Sequence, residues 1–512
     1  MRGRKSTPLI DPVDVQDGII LGVTAIKNAN GQDVVTPAVI YPGMSTVSQH
    51  GNLGVCGPPG AGKTATIISN CLSYRHSMVI IDLKGGVYSS TAEKRREFGG
   101  VYMIDMRDGY GHRYNPLQYV PRNMRRDLAA ELVGITNDDP FWSTVAADMW
   151  LACWAAADHA GQPHMPYAVE LMKLSTVDAF SYLFHYHSDD QQTMQHVRDF
   201  WGRQPSEEEI TKLQNGDPSR LLESMWKTVI TTRTIFDDPT MLRVFSGHDI
   251  DIPGLFYNGS IASIYIKADE KKPKSFAAFA RLTMRTIGDC LIDEGDREGV
   301  KRRPVAFIFD EFGVVRLNAA IDWLNTMRSR DVVLALFGQR LSHFQKTGET
   351  SDIEDQNSIH HWMLFKPTNV AGNVAKMIIG ISGLTTVPFV NGRSTSTNAD
   401  GTVSISESVG YRERHVMEVE DVKLMAPNQA YVSIHSQTTE TYVVTAAMPW
   451  VLGWDMPPAA PPPAPLPPYQ SCLLSMPDER ASVVGNGEAE PLQTVEDMLN
   501  AMTADTDALD GL

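Results

Sequence analysis

What this chain has little of narrows it before any motif is read. Its five cysteines, Cys56, Cys71, Cys153, Cys290 and Cys472, are scattered with no C-x-x-C pair. That argues against a zinc site or a disulfide framework and for a reduced, cytosolic setting. No apolar run approaches the ~18–20 residues a membrane-spanning helix needs, and the longest, 149–157, is followed by Asp158 and His159. The basic start Met1-Arg2-Gly3-Arg4-Lys5 has no apolar segment behind it, so it does not read as a signal peptide. Positive charge is also short: the formal net charge is −16, which speaks against a protein that coats nucleic acid by general basicity. The imbalance is uneven. Between Asp478 and Leu512 stand nine acidic residues and one basic, so the remaining body is only mildly acidic and keeps room for a basic channel inside an assembly.

What is present is ordinary globular material. With 512 residues, 42% hydrophobic and 21% charged, the chain can bury a sizeable core and is long enough for two or three domains.

One stretch organises the rest. Gly57-Pro58-Pro59-Gly60-Ala61-Gly62-Lys63-Thr64 follows the short run 52–56 and precedes a helical pattern from Thr66. Strand, glycine-rich loop and helix is the context a phosphate-binding P-loop requires. Its glycines let several N–H groups point at phosphate oxygens, and the helix adds the positive end of its dipole. Lys63 is then expected to reach the β- and γ-phosphates of ATP, and the Thr64 hydroxyl to ligate Mg²⁺.

Taken in order, residues 1–119 read as N-terminal strands plus the first part of a RecA-like nucleotide-binding domain. Continuous apolar runs at 78–82 and 101–105, with a basic helical stretch between them, predict buried parallel strands. Strand patterns vanish from about 120, and Trp, Met and Leu at helical spacing predict an all-α insertion over 120–240. The α/β rhythm returns over 241–452 as the second part of the nucleotide-binding domain. Within it, the polar stretch 391–408 reads as a mobile loop. Residues 453–470 read as a proline-rich, stiff and extended linker. Residues 471–512 read as an acidic flexible tail in which Leu492, Val495, Met498, Leu499 and Met502 fall on one helical face. The basic groups Lys94-Arg95-Arg96, Arg122 with Arg125-Arg126, Lys271-Lys272 with Lys274, and Lys301-Arg302-Arg303 read as solvated faces or loops rather than DNA contacts.

Phe307-Ile308-Phe309-Asp310-Glu311 is an apolar strand ending in two carboxylates, the pattern of a Walker B strand. Asp310 is expected to hold the Mg²⁺ shell and Glu311 to orient or deprotonate the attacking water. Gln339, at the end of the next strand, is placed to contact a γ-phosphate. Arg328 or Arg330, just before that strand, is placed to reach a neighbouring subunit's nucleotide.

The pattern resembles the TraG-like coupling proteins of type IV secretion and conjugation, relatives of the FtsK and HerA motors. The matching pieces are GPPGAGKT (57–64), Asp82-Leu83-Lys84-Gly85, Arg113-Tyr114-Asn115-Pro116-Leu117, the Asp310-Glu311 strand, and the segments 327–330 and 337–340. The resemblance implies a homo-hexameric ring ATPase with an all-α domain at one end. It implies relaxase-bound DNA, or protein cargo brought by an adaptor, passed to secretion-channel subunits. Carried over by position, Lys63, Thr64, Asp310, Glu311, Gln339 and Arg328 form the ATPase set. Leu83 and Gly86 depart from the family's usual proline and glutamate. A membrane anchor, usual in the family, is not found either, so the expectation is a cytoplasmic protein held peripherally at the inner membrane through partners. A DNA motor outside secretion and a nucleotide-stabilised docking platform are the alternatives.

Overall fold

The computed structural model describes residues 9–27, 32–41, 51–83, 85–133, 140–203, 205–257, 260–267, 273–295, 303–314, 323–324, 326–327, 330–344, 359–397, 403–435, 439–471 and 473. The predicted helix in the tail lies outside these residues.

The strands are β1 (Ile19–Lys27), β2 (Asp33–Ile40), β3 (Asn52–Cys56), β4 (Ser77–Ile81), β5 (Gly100–Asp105), β6 (Ala262–Lys267), β7 (Val305–Phe309), β8 (Val332–Gly338), β9 (Ile359–Phe365), β10 (Leu384–Thr397), β11 (Val403–His415), β12 (Gln429–His435) and β13 (Thr439–Ala446). Among the described residues, eleven of them form one sheet in the order β2-β1-β13-β12-β9-β3-β8-β7-β4-β6-β5. From β9 to β5 every neighbouring pair is parallel, while β12, β13, β1 and β2 add an antiparallel wing. The central strands β3, β4, β7 and β8 are buried along their whole length. That burial on both faces is why they read as unbroken apolar runs.

Alternate residues of these strands feed two cores, as the two-residue period of a strand demands. Met78 and Ile80 join a layer with Leu53, Val55, Ile308 and Phe337 under the helices α1 (Lys63–Ser73) and α2 (Gly86–Phe98). Val79, Ile81, Phe307 and Phe309 join a second cluster that does not stop at the sheet. It continues through α12 (Pro273–Gly295) into the helical block between β5 and β6.

That block is helical throughout its described residues, from α3 (Arg125–Val133) through α4 (Pro140–His159), α5 (Met165–Leu171), α6 (Thr176–His187), α7 (Gln191–Trp201), α8 (Glu207–Gln214), α9 (Arg220–Arg233) and α10 (Pro239–Phe245) to α11 (Ile252–Tyr257). Its core is aromatic: Trp150, Trp154, Phe180, Phe184 and Phe200 are fully buried. Helix ends are set by local chemistry. Asp190 caps α7 by accepting a hydrogen bond from Thr193 N (2.9 Å), and Gly202, left-handed at φ +70°, ends it. Ser206 and Glu209 form a capping box at the start of α8. The Arg113–Leu117 segment joins sheet to block. Arg113 pairs with Asp249 at 2.7 Å, and Tyr114 N donates to Val244 O at 2.8 Å. Entry and exit of the block are thereby held together.

Three expectations need correction. Within the stretch 391–408 the described residues are strand rather than loop: β10 and β11 pair over Leu384–Thr397 and Val403–His415 as a long antiparallel ribbon. Both faces of β10 are largely exposed, so no apolar alternation marks it. Thr, Val and Ser cross-strand pairs and the Arg393–Glu407 contact (3.5 Å) carry it instead. The proline-rich segment is extended but not a free spacer. Ala460 N donates to Ser89 O (2.7 Å), Leu466 N donates to Gly109 O (2.8 Å), and Ala464 O accepts from Gly111 N (2.9 Å), beside β5. Finally, Arg95 and Arg125 are buried rather than solvated. Arg95 donates to Ser263 Oγ (2.7 Å) and His76 O (2.6 Å), and Arg125 pairs with Asp158 at 2.7 Å. No described helix is long and apolar enough to cross a membrane.

Candidate functional site

The site forms where β3 ends between two parallel neighbours, β8 and β9. In a parallel sheet, crevices of this kind open beyond the carboxyl ends of the strands. Gly57 N donates to Gly338 O at 3.1 Å, so the loop leaves the sheet fixed to β8. Gly60 (φ +77°) and Gly62 (φ +111°) adopt left-handed backbone that side chains disfavour. A Cβ at Gly62 would also lie 2.2 Å from Met448 Cε.

Lys63 opens α1 and is buried. Its Nζ donates to Gly57 O (2.6 Å) and Pro58 O (3.0 Å), so the ammonium closes over its own loop. Thr64 is exposed, with Oγ1 at 3.4 Å from both Asp310 carboxylate oxygens. Asp310 follows β7, and its N–H donates to Ile81 O (3.3 Å). Glu311 sits at φ +71°, uncommon for a residue with a side chain. Gln339 Nε2 donates to Glu311 Oε2 at 2.8 Å. The other oxygen, Oε1, is buried without a hydrogen bond, with His343 Nδ1 3.9 Å away.

Five predicted residues, Lys63, Thr64, Asp310, Glu311 and Gln339, thus line one cavity of about 650 Å³, within the size range of small-molecule sites. The cavity is also lined by Pro59, Gly60 and Gly62; Ala61 is buried in the loop. The residues fit a nucleoside triphosphate with Mg²⁺. Left-handed glycines open the loop for close backbone approach, a lysine sits at its base, and Thr64 and Asp310 offer the hard oxygen donors that Mg²⁺ prefers. Arg328 lies outside the described residues. Arg330 Nη1 donates to Thr326 O (2.6 Å).

Two neighbouring groups are tuned by burial. Asp82, at the end of β4, accepts from Tyr88 N (2.7 Å), yet burial pushes its carboxyl up to about 6. Burial pushes the Cys56 thiol up to about 12, so it is no nucleophile at neutral pH.

Sequence reasoning missed three lining or supporting residues. His343 stands four positions after Gln339 and its Nδ1 accepts from Gln339 N (3.4 Å); that proximity was available as a signal. Met448 and Trp450 line the cavity from far along the chain, and nothing in their local sequence announces it.

A family model described as type IV secretory system conjugative DNA transfer matches residues 21–440. Among curated proteins none matches. The fold is similar to that of the bacterial conjugative coupling protein TrwBdeltaN70 in its unbound monoclinic form. That match has 12% identity and a TM-score of 0.58, covering 84% of this chain and 89% of that one. The plasmid coupling protein TrwB in complex with ADP and Mg²⁺ also matches, with 12% identity and a TM-score of 0.55 over 78% of this chain and 86% of that one. TrwB with a non-hydrolysable ATP analogue gives 12% and 0.54 over the same shares. At such identity the likeness establishes the fold: a P-loop NTPase sheet with a helical insertion.

Proposed function

This chain belongs to the type IV secretory system conjugative DNA-transfer family, and from that premise we propose that it is an ATP-hydrolysing coupling protein. In this reading it assembles as a hexameric ring, receives relaxase-bound DNA or adaptor-borne protein, and passes it to the secretion channel at the inner membrane. Residues 1–119 and 241–452 make one nucleotide-binding unit, 120–240 the inserted helical domain, 453–470 an extended connection held beside β5, and 471–512 the tail. Its relative TrwB, solved with ADP and Mg²⁺, supports the same cofactors here.

The observation that carries the proposal is the convergence of Lys63, Thr64, Asp310, Glu311 and Gln339 from three separate strand ends on one cavity. The loop N–H groups and the α1 N-terminus bind phosphate. Lys63, now folded on Gly57 O and Pro58 O, turns outward to meet the transferred group. Thr64 and Asp310 would hold Mg²⁺, which neutralises charge on the phosphates when bound. Glu311 takes the proton of the attacking water. Gln339 holds that carboxylate through its amide and releases it once a γ-phosphate competes for the same N–H. Arg328 is assigned to the neighbouring subunit's nucleotide.

The test is ATP turnover of the full chain, with and without single-stranded DNA. Lys63→Ala is expected to lose both nucleotide binding and turnover. Glu311→Gln is expected to keep ADP affinity while turnover falls by about 10²–10⁴-fold. Turnover untouched by both substitutions would sink the assignment.

A further inference from the structure

We propose that Trp450 is the platform on which the base of the bound nucleotide lies, an inference that rests on the nucleotide-binding reading above. The cavity is two-sided in chemistry. Its charged and amide groups are the phosphate set already described, whereas its remaining side chains, among them Leu83, Val314, Met448 and Trp450, are nonpolar. A nucleotide has the same division: an anionic end and a flat, weakly polar base.

Trp450 is suited to the second end for three reasons. The residue is 70% exposed, so its side chain is accessible without any rearrangement of the core. It lines the same cavity as Lys63 and Thr64, so it and the phosphate loop face one ligand. And the segment carrying it is fixed. Met448 packs on Gly62 of the loop itself, at a distance that leaves no room for a Cβ there. Leu452 is fully buried and its carbonyl accepts from Leu9 N (2.9 Å), while Trp454 Nε1 donates to Ile10 O (2.7 Å). The backbone that carries the indole is therefore held beside the loop, which lowers the cost of ordering this segment on binding.

An aromatic platform grips a base by its face and is indifferent to the pattern on its edge. Leu83, Val314 and Met448 carry no side-chain group to read that edge. ATP and GTP are thus expected to bind with comparable strength.

Calorimetric titration of the full chain tests this, using ADP with Mg²⁺ and, separately, inorganic tripolyphosphate, which has no base. Trp450→Ala is expected to weaken ADP by about 5- to 100-fold and to leave tripolyphosphate unchanged, while Trp450→Phe keeps most of the ADP affinity. Trp450→Ala binding ADP like the wild type overturns the platform. So does an equal loss of ADP and tripolyphosphate, which would mark Trp450 as a support of the loop. If the wild type binds neither, the nucleotide reading itself falls, and the platform with it.

Discussion

The two faces of the central sheet are built differently. On one, α1 and α2 each follow directly from the strand before them and close a layer over Leu53, Val55, Met78, Ile80 and Phe337. On the other, Val79, Ile81, Phe307 and Phe309 belong to a cluster that runs on through Phe279 and Phe236 to Trp150, Trp154 and Phe180. The first face is a local affair that carries the phosphate loop. The second shares its core with the helical block. The difference teaches that the insertion is not a bead on a string. A displacement of its aromatic core has a packed route to the strand that ends in Asp310 and Glu311, because close-packed interiors transmit strain.

The largest effect should come from the shared core. Trp154→Ala, at a fully buried site, is expected to cost about 3–5 kcal/mol and to lower the melting of block and sheet together in one calorimetric transition. Two separate transitions, with only one of them shifted, would break the comparison. The local face offers a smaller and pH-dependent test at Asp82. Its folded carboxyl is raised by burial to about 6 from the ordinary 3.8, so its contribution is intact below about pH 4 and lost as pH rises through about 6. Asp82→Asn should therefore melt higher than the wild type at pH 7.5, by up to about 3 kcal/mol, and match it near pH 4. A stabilisation independent of pH would rule out this account. The smallest effect belongs to the block's rim. Arg203 pairs with Glu209 at 2.6 Å but is more than half exposed. Arg203→Ala should leave the melting midpoint unchanged within error, and a clear drop would mean that the rim supports the block as much as its core.

Legibility followed the same division. The strand 52–56 and the loop and helix after it stand where local pattern put them, because burial on both sides and glycine chemistry are written in consecutive residues. The helical character of 120–240 was equally readable from aromatic spacing. Lys63, Thr64, Asp310, Glu311 and Gln339 were found because each belongs to a motif at a strand end. Trp450 and Met448 were not, since their place in the cavity depends on where β13 lies, four strands' width from β8 across β12, β9 and β3. The β10–β11 ribbon escaped for the opposite reason. Its strands face water on both sides, so the hydrophobic period that betrays a strand is absent.

The proline-rich segment has a consequence for how copies of this chain can meet. The parallel sheet ends at β5; Gly111 folds back beside Ile104, and Pro465 bridges Tyr110 beyond it. Prolines at 461, 462, 463, 465, 467 and 468 bring no N–H, so this flank lacks the run of donors that a further strand would pair with. The sheet is sealed there like a bound margin. A neighbour arriving from that direction would meet carbonyl oxygens and side chains instead of a row of N–H donors, so a two-way backbone ladder has no place to form there.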